Sequence, residues 1–173
     1  MSNRRSDMLR SPTPMKLSGE ELVTQTARVQ DFWSWAFSNV MDNVTRGIFA
    51  EWLVGTGLRC VDGVRDAWGN VDLITPEGVS VEVKSAAYLQ AWPQQRHSSI
   101  NFGGLSGRAW DAETGRYDEE RSLRADVYVF CVLIAKSHDD ARPLDPKQWV
   151  FYVAPRSAVA RKGARSLGIS AVR

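Results

Sequence analysis

The chain has 173 residues, of which 43% are hydrophobic and 24% charged, an ordinary composition for a globular domain with one full core. It contains no run of about 18 apolar residues and no apolar stretch near the amino terminus. We therefore expect neither a membrane span nor secretion, and we predict a cytoplasmic protein. Two cysteines and two histidines are too few for a credible zinc cage, and Cys131 lies in an apolar run typical of a buried thiol.

The net charge of +2 is unevenly distributed along the chain. Residues 1–16 carry four basic side chains and one acidic one, and residues 154–173 carry five basic side chains and no acid. Basic ends attract polyanions such as nucleic acids, although the same charges can also serve solubility alone. We predict a loosely ordered basic tail over residues 1–17 and a single domain over residues 18–173.

Two helices are predicted before the first strand. Ser18 and Glu21 have the spacing of a capping box, so a first helix is expected over Gly19–Asn39. A second helix is expected to begin at residue 42 or 43 and to end near Val54, because glycines follow at positions 55 and 57. The segment around Glu51 is apolar on nearly every side, so this carboxylate is expected to be buried and to need a partner.

A hairpin follows these helices. Val79, Val81 and Val83 alternate with polar residues, which is the period of a strand. Pro76 and Gly78 favour a tight reversal of the chain ahead of that strand. Residues 70–75 are therefore expected to pair back onto it.

Three charged side chains of this hairpin are expected to converge. Glu82 and Lys84 are two residues apart on one strand and so project from the same face, while strand pairing brings Asp72 within reach of Glu82. Two carboxylates beside an ammonium group suit a divalent cation next to a phosphate, because the oxygens bind the metal and the amine handles a water molecule or a developing charge. The alternative is an ordinary ladder of exposed charges on a solvated face.

Beyond the hairpin the predicted order is helix, strand, strand and helix. Ser85 is expected to cap a short helix that Pro93 ends. The apolar run Val127–Ile134 is typical of a central strand covered on both faces. The remaining predicted elements are a small strand at 99–102, a strand at 149–153 and a helix at 159–167. This order predicts an α/β protein, a three-layer α/β/α sandwich with a central mixed β-sheet.

The charged residues resemble the active site of the PD-(D/E)XK nuclease superfamily, which includes many restriction endonucleases. The likeness rests on Asp72, on Glu82-Val83-Lys84 and on the upstream helical Glu51, and it spans residues 44–92. Val71 stands before Asp72, where the motif that names the family has proline. The resemblance implies a restriction-endonuclease-like fold and a nuclease that depends on Mg²⁺ or Mn²⁺.

The resemblance also implies a role for each residue. Asp72, Glu82 and the carbonyl oxygen of Val83 are expected to ligate the metal, and Glu51 to bind a second ion or hold its water molecule. Lys84 is expected to orient or deprotonate the attacking water and to stabilise charge in the transition state. The implied catalytic residues are thus Glu51, Asp72, Glu82 and Lys84. For Glu51, a purely structural ion pair is the alternative.

DNA is the expected substrate, in host defence or in repair and recombination. Double-strand cutters on this scaffold often act as pairs, so the resemblance allows a homodimer. The candidate contacts to nucleic acid are Gln90, Gln94, Arg96, Arg108 and Arg116. Two other interpretations stay open: a catalytically inactive module that binds nucleic acid or protein on the same fold, and a metal-assisted hydrolase of another phosphoester.

Overall fold

The centre of the protein is a mixed sheet made of four strands. The computed structural model describes residues 14–111 and 114–173. Its strands are β1 (Leu73–Ile74), β2 (Ser80–Ala87), β3 (Asn101–Phe102), β4 (Trp110–Asp111), β5 (Arg116–Tyr117), β6 (Val127–Leu133), β7 (Trp149–Pro155) and β8 (Leu167–Gly168). Its helices are α1 (Val29–Phe37), α2 (Asn43–Leu58), α3 (Arg156–Lys162) and α4 (Ile169–Val172), with a 3-10 helix at Pro146–Gln148.

The central sheet has the strand order β1, β2, β6, β7. β1 is antiparallel to β2, with Leu73 opposite Val81, and β7 is antiparallel to β6. β2 and β6 are parallel, paired from Val81 and Val127 at one end to Ala87 and Leu133 at the other. Parallel neighbours need a long crossover connection, and residues 88–126 provide it.

Apolar side chains cover both faces of this sheet. On one face, α2 packs against the odd-numbered residues of β2 and β6, including Val81, Val83, Val129 and Cys131. The other face is buried under β3, β8, α3 and the crossover, around Ala86, Phe102, Tyr128, Phe130 and Leu167. Because side chains alternate along a strand, Glu82 and Lys84 project from the second face, opposite α2. The predicted α/β class and the mixed central sheet are confirmed.

The helix α2 begins where the sequence predicts and ends later. The Asp42 carboxylate caps it by accepting hydrogen bonds from the N–H groups of Val44 and Thr45, at 2.9 and 3.3 Å. The helix then continues past Val54 to Leu58, and Arg59 ends it in the left-handed conformation with φ of 58°. The glycines at 55 and 57 therefore lie inside the helix and do not end it.

Gly55 allows α2 to approach the start of the sheet closely. A Cβ atom at this position would lie 2.4 Å from Cγ1 of Val61 and 3.2 Å from Cδ2 of Leu73, both closer than ordinary contact. The missing side chain thus seats α2 against β1 and the segment that leads into it. This contact fixes the position of Glu51, which lies one helical turn before Gly55.

The first helix is shorter than predicted, because it begins at Val29 rather than near residue 19. Ser18 and Glu21 do exchange the expected contact, with the Ser18 N–H donating to Glu21 Oε1 at 2.8 Å, but they form an isolated turn. Thr24 then competes with a helix, since its hydroxyl oxygen accepts the N–H of Ala27 at 3.0 Å.

The predicted helix after Lys84 is wrong. β2 continues as a strand to Ala87, and Ala86 and Ala87 pair with Val132 and Leu133 of β6. Both alanines are buried, so the ladder and the packing override the helix propensity of the sequence. The predicted strands at 127–134 and 149–153 are confirmed as β6 and β7, and the strand at 99–102 is reduced to β3.

The carboxyl-terminal helix is displaced from its predicted range. α3 starts directly after Pro155 and ends at Gly163, whose φ of 58° suits glycine, while Leu167 belongs to β8. At the other end, residues 1–13 of the predicted basic tail lie outside the described residues, and Lys16 donates a hydrogen bond to the Asp62 carbonyl at 2.9 Å. None of the described helices is both long and apolar enough to cross a membrane.

We predict opposite effects for two glycine-to-alanine changes in α2. Gly47→Ala adds a methyl group where nothing lies within 4 Å, so helix propensity should stabilise the protein by about 0.5–1 kcal/mol. Gly55→Ala drives the same methyl group into Val61 and should destabilise it by about 1–3 kcal/mol. Urea unfolding measures both. Equal effects of the two changes would contradict the close approach at Gly55.

Candidate active site

The Asp72 carboxylate accepts a backbone N–H at the edge of β2, where a paired strand would offer a carbonyl oxygen. It lies just before β1, and its Oδ2 accepts a hydrogen bond of 2.7 Å from the N–H of Val83. In an extended strand the N–H and C=O of one residue point to the same side. The carbonyl oxygen of Val83 is therefore directed to the same edge of β2 as the Asp72 carboxylate, so two oxygen donors share this edge.

Glu82 and Lys84 form a buried ion pair on the face of β2 opposite α2. The Lys84 Nζ lies 2.6 Å from Glu82 Oε1, and their side chains are 23% and 9% exposed, respectively. Burial of this degree rules out the alternative of a solvated charge ladder. In this structure the ammonium group compensates the Glu82 carboxylate, which would otherwise be costly to bury.

Glu51 is paired with an arginine that the sequence did not single out. Its side chain is only 13% exposed, as predicted, although α2 is not buried all round, since Trp52 is half exposed. The Nε of Arg65 lies 2.5 Å from Glu51 Oε2, and Nη2 lies 2.8 Å from Oε1. This is a bidentate ion pair, and Glu51 raises the pKa of Arg65. The metal-binding role of Glu51 stays a prediction.

Asp72 is the carboxylate of this group that has no cation of its own. Among the described residues, no Lys, Arg or His lies within ion-pair distance of it. Burial, and after it the charge of Glu82, raises the pKa of Asp72 from 3.8 to about 6. Glu51 adds to the rise, while the Val83 N–H and the Lys84 charge oppose it. Each of these three charged side chains thus acts electrostatically on Asp72 in the folded protein.

One cavity is lined by residues of this group, and a second lies beside Lys84. A cleft of about 560 Å³ between α2 and β1 is lined by Glu51, Arg65 and Asp72 together with apolar side chains. Lys84 belongs to the opposite face of the sheet, where a Cβ atom on Gly104 would lie 3.9 Å from its Nζ. A second cavity is lined by residues 104–106, Arg121 and Arg165.

The predicted nucleic-acid contacts fall into two groups. Gln90 is buried, and its Nε2 donates to the Ala87 carbonyl and to Ser98 Oγ at 3.2 and 3.1 Å. Gln94 accepts the Gln90 N–H at 2.7 Å, so both amides hold together the turn after β2. The other three candidates have exposed side chains and are Arg96, Arg108 and Arg116.

Asn70 connects the crossover to the segment in front of Asp72. Its Oδ1 accepts the N–H of Trp110 at 2.9 Å and an N–H of Arg124 at 3.1 Å. The same Arg124 guanidinium also donates to the carbonyl oxygen of Arg108 at 3.3 Å. Of the predicted contacts, Arg108 is thereby held beside the chain that leads into the site. Asn70 and Arg65 lie in a segment without apolar period, so no sequence pattern marks them.

The donor set also bears on a metal ion. Within residues 14–111 and 114–173, no group of three or more His, Cys, Asp and Glu side chains is arranged to hold one. The set that does meet at the edge of β2 consists of oxygen donors, which Mg²⁺ and Mn²⁺ prefer.

The sequence matches no protein-family model, and no curated protein matches it significantly.

The raised pKa of Asp72 predicts that this residue destabilises the protein at neutral pH. The carboxyl group of Asp72 has a pKa near 3.9 in the unfolded chain. In the folded protein its pKa is about 6. Between these values the folded state retains a proton that the unfolded state has lost, so stability falls as the pH rises through this window. Asp72→Asn removes the titrating group and should stabilise the metal-free protein by up to about 3 kcal/mol at pH 8.

Urea unfolding of both proteins from pH 4 to pH 8 measures this difference. The gain from Asp72→Asn should grow with pH and level off above the folded pKa. Asp139→Asn, in an exposed loop at the other end of the sheet, serves as the control and should show no such growth. A gain that is independent of pH would contradict the assigned environment of Asp72.

Proposed function

We propose that the protein is a divalent-metal-dependent nuclease that hydrolyses the phosphodiester bonds of DNA. The observation that carries the proposal is the charge balance around Asp72. Glu82 and Glu51 each form an ion pair, whereas Asp72 is largely desolvated and forms none with any of the described residues. A divalent cation at the edge of β2, to which the Asp72 carboxylate and the Val83 carbonyl oxygen are both directed, would relieve this imbalance.

The oxygens that would hold Mg²⁺ or Mn²⁺ are those of Asp72, Glu82 and the Val83 carbonyl. A divalent ion there supplies Lewis-acid polarisation of a phosphate oxygen and lowers the pKa of a coordinated water. The chain itself contributes the orientation of these oxygens, since the Val83 N–H holds the Asp72 carboxylate at 2.7 Å. The resemblance to PD-(D/E)XK nucleases supports the same proposal, and with it we propose a three-layer, restriction-endonuclease-like arrangement of the fold.

Lys84 is the proposed general acid–base or charge-stabilising group. Its Nζ lies 2.6 Å from Glu82 Oε1, and its ammonium group would be free to meet a phosphate where Glu82 serves as a metal ligand instead. The same Nζ lies beside Gly104, a residue that lines a cavity together with Arg121 and Arg165. A phosphate held there would meet positive charge, which suits both substrate binding and stabilisation of the transition state.

We expect Asp72→Asn to abolish metal-dependent cutting without unfolding the protein. The amide can still accept the Val83 N–H but gives a much weaker ligand for a hard cation. Linear, circular and single-stranded DNA are incubated with Mg²⁺, Mn²⁺ or EDTA, and the products are separated on gels. The control is Asp139→Asn, which should cut as the wild type does. Retardation of DNA by the wild type without cutting would favour the inactive binding module instead.

Lys84→Ala should reduce cutting by at least 100-fold while metal binding is retained. The change leaves Glu82 buried without its cation, so a bound divalent ion should stabilise this variant more than the wild type. Thermal unfolding with and without Mn²⁺ measures the second effect, and gel assays measure the first. Turnover at the wild-type rate in Lys84→Ala would remove the amine from the mechanism.

A further inference from the structure

Arg65 is held in a position from which it can bind a second group. Its Nε and Nη2 are taken up by the two oxygens of Glu51. Its Nη1 donates to none of the described residues, and 40% of the side chain is exposed. It lines the cleft between α2 and β1 that Asp72 also lines. A guanidinium fixed on one edge and open on the other matches the geometry of phosphate recognition.

Both oxygens of Glu51 are engaged by the same guanidinium. For Glu51 to ligate a metal ion, that bidentate pair would first have to break, leaving Arg65 without a partner and beside a divalent cation. Only the Glu51 side of the pair is shielded, with 13% of its side chain exposed. Breaking two hydrogen bonds to a shielded carboxylate is costly, which favours keeping the pair intact during the reaction.

We infer that Arg65 is a phosphate-binding residue of the site and that Glu51 is its positioning residue rather than a metal ligand. This inference rests on the proposed function and specifies how the substrate is held. It implies that the site takes one divalent cation, because Arg65 supplies the positive charge that a second ion would otherwise bring.

The substrate side of the inference is tested by DNA binding under conditions without cutting. Fluorescence anisotropy of a labelled duplex in Ca²⁺ is measured from 50 to 300 mM salt for wild type, Arg65→Ala and Arg65→Lys. Losing one phosphate contact should weaken binding about tenfold and reduce the slope of log Kd against log salt by about 1. Arg65→Lys keeps the charge but not the fork, so it should restore the slope and only part of the affinity.

Lys147→Ala is the matched control for the loss of one positive charge. Lys147 lies in the 3-10 helix before β7, at the end of the sheet away from Asp72, so neither the slope nor the affinity should change. Circular dichroism establishes whether each variant is folded. If Arg65→Ala does not fold, the affinity of Arg65→Lys is compared with that of the wild type, and equal affinities overturn the inference. A salt slope in folded Arg65→Ala equal to that of the wild type overturns the inference.

The number of bound metal ions, and whether Glu51 is a ligand, are tested by titration and not by activity. Isothermal titration with Mn²⁺ should give one ion per chain for the wild type and for Glu51→Gln, with affinities within about twofold. Glu51→Gln should still weaken DNA binding, because Arg65 loses half of its anchor. Two ions on the wild type, with one lost in Glu51→Gln, would make Glu51 a ligand and overturn the inference. A wild type that neither binds Mn²⁺ nor cuts DNA overturns the proposed function, and Arg65 is then judged by the salt slope alone.

Discussion

The parallel pairing of β2 with β6 is the constraint on which the rest of the structure depends. It places β2 inside the sheet, with α2 on one face and the crossover on the other, so every side chain of the strand must suit a covered surface. Valine and alanine meet this condition without help. Glu82 and Lys84 meet it only as a pair, because either charge alone would be desolvated without compensation.

The cost of burying a charge also accounts for the partners of Glu51 and Asp72. Glu51 faces the cleft from α2, and Arg65 reaches back from the segment before β1 to neutralise it. Asp72 receives a backbone N–H instead of a cation, and its pKa rises as a consequence. A protein optimised for stability alone would have replaced such a residue. A carboxylate whose pKa is raised by burial in a cleft is more frequent at functional sites than elsewhere, which supports the proposed role of Asp72.

The short length of β1 has a direct effect on the site. Because β1 contains only Leu73 and Ile74, the edge of β2 at Val83 is not covered by a neighbouring strand. The N–H there is satisfied by Asp72, while the carbonyl oxygen on the same edge stays available to a ligand. The packing of Gly55 against Leu73 holds this arrangement beneath α2. The edge of β2 is uncovered at Val83 because the pairing with β1 ends at Val81.

Local pattern was sufficient to predict the turn between β1 and β2, the first half of β2, the strand β6 and the start of α2, although the pairing predicted for residues 70–75 is reduced to Leu73–Ile74. Valine alternation, the turn residues and the Asp42 cap act over a few residues and leave little choice to the chain. The same alternation put Glu82 and Lys84 on one face, as the structure has them. Strand pairing predicted Asp72 as their neighbour, and the resemblance to a known motif added Glu51.

Tertiary structure alone decided what local pattern left undetermined. Residues 86 and 87 form a strand because they pair with β6. Their partners lie more than forty positions away in the sequence, so local propensity could not predict the pairing. Arg65 became the partner of Glu51 because Gly55 lets α2 settle against the chain that carries it. The sequence thus determined which charges the protein has and on which strand face they lie. Long-range packing determined which of them are neutralised, because an ion pair depends on distances that only the folded chain sets.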